Sequence, residues 1–456
     1  MLLAVQCSFR LCLPALLCVI VGSATAHAQF GGNFGGRSVG GVIVDADGMV
    51  RAAEIAERDG LKRTLNELID GPQGDLREQA DRRMISLKGL QAQILESHRM
   101  GQGLPEEAWL LGGLQGIDYV FVDQQNGDIV LAGPAEPWEV RDGSFVGKIS
   151  GGACLRLDDL MVAMQSVEAA RQAGISCSIE PTEEGRLKLR QLLGKVTLRK
   201  GQNPAYLEPA MKQAFGPQRV LLTGIPTDSH FARTMLSADF QMKRLAMQLT
   251  ESPIAELPSY LQLSKNARSR GNENPRWWIA CQFDALKRSE DRTAWKIEGL
   301  GVQTMTEQDL VEKDGSVKRG KGTNKLAQQW ADRMTENYVE LAERMPVFGE
   351  LRNLMDVTLV ATLIRQERLD VEAGLDLSLM SQPNEAVELA SYPTPSAVEP
   401  HCSFVRGSAG WTVTASGGVE ISAFQLIEDQ VVAPEIAQTR QQSLSRGDSV
   451  RWWWNG

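Results

Sequence analysis

The chain has 456 residues, 43% of them apolar, 23% charged and 6% aromatic. That profile excludes a disordered, collagen-like or coiled-coil protein and allows several domains with a sizeable core. With 57 acidic against 48 basic residues the formal net charge is -9, which argues against a broadly basic nucleic-acid surface.

Residues 1–28 come first because they read as an address. Arg10 is the only Arg or Lys among them; an apolar run from Leu11 to Val21 follows, then small residues ending Ala26-His27-Ala28. A positive start, a short apolar run and an A-x-A site describe a cleavable secretory signal. The run is too short to span a bilayer core of ~30 Å comfortably, and no Cys follows the small residues, so a lipid-anchored start is not expected. No other stretch approaches the ~18 uninterrupted apolar residues of a membrane helix. The mature chain is therefore expected outside the cytoplasm, periplasmic or secreted after cleavage near Ala28, with no transmembrane helix.

Residues 29–41 are Gly-rich and read as a flexible leader. In the N-terminal α+β region, 42–150, Val42-Ile43-Val44 leads into Asp47-Gly48, a hairpin signal. Residues 51–100 carry helical spacing broken near Gly71-Pro72, and Ile117–Val122 and Asp128–Leu131 are strands joined through Asn126-Gly127. Region 151–250 alternates. Leu157, Leu160, Met164 and Val167 lie on one helix face, with Asp158 and Asp159 in its first turn and Gly174 placed to end it. Ile175–Ile179 is a short strand, Thr182 caps a helix ending at Gly194, Lys195–Arg199 is strand-like, Pro204–Phe215 is a helix and Arg219–Thr223 another strand. The clearest pattern follows: Phe231, Met235, Ala238, Met242, Leu245 and Leu249 fall on one line of a helix that Thr227 or Asp228 can cap.

Region 251–370 opens with a proline-rich junction, passes Arg276-Trp277-Trp278 and the basic turn Lys313–Lys321, and ends in a helical pair, 324–345 and 347–368, with Pro346 at the second start. Residues 371–400 read as a linker and 401–456 as a small β-rich C-terminal module, from Trp411–Thr414 and Val419–Ile421. The fold class expected is α/β or α+β, with mixed sheets and packed helices, then the helical pair and the C-terminal module.

Chemistry is sparsely signalled. Three of the seven Cys leave with the signal; Cys154, Cys177, Cys281 and Cys402 remain as disulfide candidates with three possible pairings. A Cys154–Cys177 bridge is worth about 3 kcal/mol in the chain-entropy model. The mature chain has only His98, His230 and His401, with no H-E-x-x-H or C-x-x-C, so no metal is expected. G-x-S-x-G, GxxxxGK[ST] and a strand-following GxGxxG are absent, which disfavours hydrolase-elbow, nucleotide and dinucleotide chemistry, and no cofactor is expected. Asp45-x-Asp47-Gly48 lacks the further ligands of a calcium loop and reads as a turn.

The most suggestive cluster is Gly224–His230, on a strand-to-helix turn where ligands favour the sheet edge. Ser229 as nucleophile and His230 as base are the catalytic candidates, and Thr227, Asp228 and His230 could form a binding edge. The bland alternative has Thr227 and Asp228 capping the helix and His230 on its exposed shoulder. Asp158-Asp159 suits acid–base work only on paper, since neighbours on a helix point ~100° apart. Arg276, Trp277, Trp278, Trp452, Trp453 and Trp454 bring five of the ten Trp beside arginines, as contact surfaces for envelope proteins or glycans do; core filling is the alternative for Trp277 and Trp278.

Several phrases together, Ile117–Trp138 (IDYVFVDQQNGDIVLAGPAEPW), Leu155–Ala163 (LRLDDLMVA), Cys177–Pro181 (CSIEP), Gly224–Leu245 (GIPTDSHFARTMLSADFQMKRL) and Pro275–Ile279 (PRWWI), resemble a family of exported bacterial proteins known only as a domain of unknown function. The resemblance spans roughly residues 40–370. It implies an extracytoplasmic setting and no established activity, so it carries over no catalytic residue. The function expected is that of a non-enzymatic binding or structural protein of the cell envelope; the alternative is a secreted hydrolase using the turn at His230.

Overall fold

A computed structural model describes residues 38–39, 42–44, 49–196, 204–264, 273–311, 317–319, 325–400, 405–407, 410–412, 416–447 and 451–456. The expected signal, most of the leader, Asp45–Gly48, 197–199 of the expected Lys195–Arg199 strand, most of the basic turn, His401 and Cys402 lie outside the described residues.

Local chemistry explains many elements. Gly127, at φ +64°, turns the hairpin that pairs Tyr119–Asp123 with Asp128–Ala135; a positive φ suits a residue without Cβ. Thr182 accepts a hydrogen bond from the Gly185 amide and starts the Glu183–Lys195 helix. Pro346 occupies the first turn of the Pro346–Gln366 helix, where an imino nitrogen leaves no helical bond unmade. That helix is apolar nearly all round and buried along most of its length, as a helix packed on every side must be. The expected helix at 324–345 breaks at Asn337 into Lys325–Glu336 and Tyr338–Arg344.

The class is α+β with mixed sheets, as expected. Among the described residues one sheet has ten strands, in the order Ser38–Val39, Val42–Val44, Met49–Ala52, Ala397–Val398, Gln218–Thr223, Ile175–Glu180, Ser416–Ile421, Glu273–Gln282, Gly301–Val311 and Val317–Arg319. A second has seven: Gln430–Val432, Leu286–Arg288, Ala294–Lys296, Tyr119–Asp123, Asp128–Ala135, Ala80–Ser86 and Trp453–Asn455. Neighbours are mostly antiparallel, but Arg276–Ala280 runs parallel to Ser416–Glu420. The Leu157–Ala173, His230–Ala246 and Pro346–Gln366 helices pack on one another, and one continuous core joins them to residues of both sheets.

Both sheets draw their strands from several of the regions drawn along the sequence. Residues 416–421, placed in a C-terminal module, lie in the middle of the ten-stranded sheet between Ile175–Glu180 and Glu273–Gln282. The segment expected as a linker holds the end of the Leu369–Ala373 helix, the Ser378–Ser381 helix and a sheet strand, Ala397–Val398, and buries Tyr392. Proline removes periodicity but not packing, so polarity and proline alone mislead here. The Ala80–Ser86 strand, inside a region read as helical, has Arg83 pointing inward onto the Gly112 carbonyl, which hides its alternation.

Cys154 and Cys177 are buried free thiols and Cys281 is a half-buried one. The Cys154–Cys177 bridge is not formed: Cys177 belongs to the ten-stranded sheet, whereas the Cys154 amide bonds to Phe145 in the small Trp138–Gly147 hairpin. Burial pushes both thiols up, away from the reactive thiolate. Labelling of Cys154 and Cys177 by an alkylating reagent is expected to be on the order of a hundredfold slower in the native chain than in urea, as measured by peptide mass spectrometry; equal rates would show that the two are accessible.

Candidate functional site

The turn Gly224–Ser229 carries the chain from the Gln218–Thr223 strand into the His230–Ala246 helix. Ser229, not Thr227 or Asp228, is the cap: its Oγ accepts from the Ala232 amide at 3.1 Å and donates to the Pro226 carbonyl at 2.7 Å. Thr227 and Asp228 stay exposed and use their backbone carbonyls, which accept from the amides of Thr394 and Tyr392. The turn is thus stitched to the segment expected to be a linker.

His230 does not sit on an exposed shoulder. It is 4% exposed, and its Nδ1 lies 2.9 Å and 3.1 Å from the two carboxylate oxygens of Asp159 on the neighbouring helix. The first turn of Leu157–Ala173 therefore does more than match a dipole. Asp159 turns to His230, while Asp158 takes two hydrogen bonds from Arg156, at 2.9 Å and 2.6 Å. Arg156 also donates to the Tyr392 hydroxyl at 3.0 Å, and the Tyr392 ring meets His230 edge-on at 5.1 Å. From the third helix Glu350, 5% exposed with an unpartnered Oε2, contributes to the field on His230 and is itself raised by its burial and by Asp159.

Electrostatics divides this cluster into two pairs. Burial and the Arg156 charge press His230 downward, but Asp159 and its hydrogen bond outweigh them, so the imidazole holds its proton above its usual range. Burial opposes ionisation of Asp158 as well, yet Arg156 overcomes it and keeps that carboxyl low. Glu350 is raised by burial. Ligand atoms of Asp158, Asp159 and His230 lie within 4.8 Å of one another, the spacing of a cation site; Arg156, however, already engages both Asp158 oxygens and brings its own positive charge. The arrangement is a buried ion network that ties two helices to residue 392.

The other sequence candidates are engaged elsewhere. Trp277 is fully buried, donates its indole N–H to the Ala327 carbonyl and packs on Tyr260 and Trp330. Trp278 is half-buried, and Arg276 pairs with Glu180 at 3.4 Å. Trp452 and Trp453 are each 9% exposed rather than presented at a surface; Trp453–Asn455 pairs with Arg83–Ile85, and Trp454 donates to the Ser443 carbonyl. Two of these three indoles are buried and Trp454 is half-buried, because the Trp453–Asn455 strand pairs along Ala80–Ser86. His98 lines a separate pocket of about 210 Å³ with Trp109, Gln102 and residues 385–388.

Sequence reasoning missed Arg156, Tyr392 and Glu350. Glu350 had a usable signal, a lone acid in the Val347–Leu351 apolar stretch; a buried acid needs partners. Tyr392 had none, since only folding brings it to residue 230.

No curated protein and no solved structure matches the chain. Residues 177–260, which hold the central strands and the whole His230–Ala246 helix, match the model of a protein family of unknown function, DUF1598, and this segment is where the chain resembles a family without an assigned activity.

Proposed function

We propose that this chain is an exported protein of the cell envelope that acts as a non-enzymatic binding or structural element. One observation carries the non-enzymatic part. The histidine of the suggestive turn, His230, is enclosed and committed to Asp159, and the adjacent Ser229 hydroxyl is committed to its own helix end. A nucleophile and its base must meet each other and the substrate; here no hydrogen bond joins Ser229 to His230. Export is supported by the pattern of residues 1–28 and fits a chain in which, among the described residues, no helix is long and apolar enough to cross a membrane. A binding role is supported by Val431 and Val432, 49% and 46% exposed on an edge strand of the seven-stranded sheet, since an open edge with apolar side chains is a template for an added strand.

Two measurements test this. Expressed with its own amino terminus in a bacterial host, the chain is expected in the periplasm or medium with Gln29 as its first residue by mass spectrometry; an intact Met1 on cytosolic material overturns the address. His230→Gln, screened beside the native chain over esterase, peptidase and glycosidase substrates, is expected to give the same background. A native activity lost in that variant would instead establish the hydrolase reading.

A further inference from the structure

Arg233 stands one turn into the His230–Ala246 helix and is 2% exposed. Its Nη1 donates to the Pro393 carbonyl at 3.1 Å, while its Nε has no acceptor. Among the described residues no carboxylate pairs with it, and burial pulls its pKa down to about 10. The other enclosed cations are treated differently. Arg156 has Asp158, Lys243 has Asp239, and Arg83 feels Asp75 and Glu78 and donates to three backbone carbonyls and Asn455. Leaving a buried cation unpaired is costly, and a chain with 57 acidic residues does not lack means to pair one.

Further unpartnered donors lie on the same helix and on the segment that Arg233 contacts. Ser237 follows Arg233 by four residues, hence on the same helix face, and its Oγ is buried without a partner. Thr394 Oγ1 is likewise buried and unpartnered, and Thr394 adjoins Pro393, whose carbonyl Arg233 uses. The Thr394 amide bonds back to Thr227, so this segment is fixed against the start of the helix. The helix has 17 residues, and its amino-terminal end carries a positive partial charge. Pro226, Thr227, Asp228 and Pro393 around this end are not buried, so it meets solvent.

We propose that Arg233, Ser237 and Thr394 form an anion site along the first two turns of this helix, taking a tetrahedral oxyanion, as free phosphate or as the phosphate group of an organic ester. A guanidinium edge and two hydroxyls can each donate to such a group, and the first turn of the helix favours its charge. The site is distinct from the Asp159–His230 pair and does not depend on the envelope reading above.

The test is thermal unfolding of the full mature chain at constant ionic strength in chloride, acetate, phosphate or glycerol phosphate. Phosphate at about 20 mM is expected to raise Tm by about 3 °C or more over chloride, with no such rise in acetate. A larger rise with glycerol phosphate assigns the ester, and an equal one the free ion. Arg233→Met is expected to unfold at or above the native Tm in chloride, because it removes an unpaired buried charge, and to lose the phosphate rise. If Arg233→Met does not fold, Thr394→Val, which keeps the shape and the guanidinium, is expected to weaken phosphate roughly tenfold. The proposal is overturned by no phosphate effect on the native chain, by an equal acetate effect, or by a phosphate rise that survives in Arg233→Met or is unchanged in Thr394→Val.

Discussion

Lys243→Met is expected to lower the unfolding free energy by about 3–5 kcal/mol at pH 8. Lys243 and Asp239 sit four residues apart on the central helix, both with side chains 0% exposed. The ammonium lies 2.8 Å from Asp239 Oδ2 and donates to the carbonyls of Ile179 and Gly417 at 3.1 Å and 3.3 Å. Those carbonyls belong to neighbouring strands, Ile175–Glu180 and Ser416–Ile421, just beyond their last paired residues, Ser178 and Gly418. Lys243 thus satisfies the place where the ladder opens. Without it, Asp239, whose Oδ1 already lacks a partner, becomes an uncompensated buried charge.

The sign of the pH effect follows. Burial pushes Asp239 up to about 6, with Lys243 pulling it back. A carboxyl raised in the folded state above its unfolded value of ~3.9 binds its proton more tightly when folded, so it favours folding at low pH and that advantage disappears as pH rises to about 6 and beyond. Removing Lys243 raises the carboxyl further. The deficit of Lys243→Met is therefore expected to be smaller at pH 5, where the orphan takes a proton, than at pH 8. Urea unfolding at the two pH values measures it, and a deficit under ~1 kcal/mol at both would mean the pair is solvated. The double variant Asp239→Leu with Lys243→Met removes both charges and is expected to recover more than half of the loss, leaving mainly the two carbonyls unsatisfied, at about 1 kcal/mol each.

Gly417→Ala is expected to cost about 3 kcal/mol or more. Gly417 has φ +137°, and a Cβ there would stand 1.4 Å from the Trp277 carbonyl oxygen. The obstacle is backbone of the strand paired with it, so no side chain can turn aside; Gly418, next in sequence, is pressed closely on the Cys177 carbonyl, at 2.1 Å from where a Cβ would stand. The Gly417-Gly418 pair is what lets this segment fit between Ile175–Glu180 and Glu273–Gln282. Gly194→Ala is the control. Gly194 lies in the Glu183–Lys195 helix, and a Cβ added there would meet no atom within 4 Å; Ala at this position is expected to gain up to ~1 kcal/mol. Urea midpoints separate the two, and similar midpoints for both variants would show that the strands can part.

Local order was legible where a short-range device specifies it. The Asn126-Gly127 hairpin, the Thr182 cap, Gly174 after the Leu157–Ala173 helix and Pro346 at a helix start each act within four residues of themselves. The apolar line from Phe231 to Leu249 likewise announced a buried helix, although Leu249 itself lies past the helix end at Ala246 and is half-buried. The exposed shoulder offered for His230 misled, because His230, like Arg233, Ser237, Asp239 and Lys243 on the same helix, is enclosed. A flank reads as solvent-facing only if nothing covers it, and here the other helices, the sheet and the 390–394 segment do. The candidate site was legible by half. Asp158, Asp159 and His230 were singled out, but as a helix start and a turn 71 residues apart rather than as one network.

What the amino-acid order determined by itself is many of the local elements and a class of mixed sheets with packed helices, α/β or α+β, since turns, caps and apolar periodicity are written in neighbouring residues. Tertiary structure alone decided that residues 416–421 lie between strands from the middle of the chain, that Asp159 meets His230, and that Arg233 meets no acid. Each depends on which distant backbone and side chains come to share one interior. The strength of a buried charge depends on that company rather than on its neighbours in sequence.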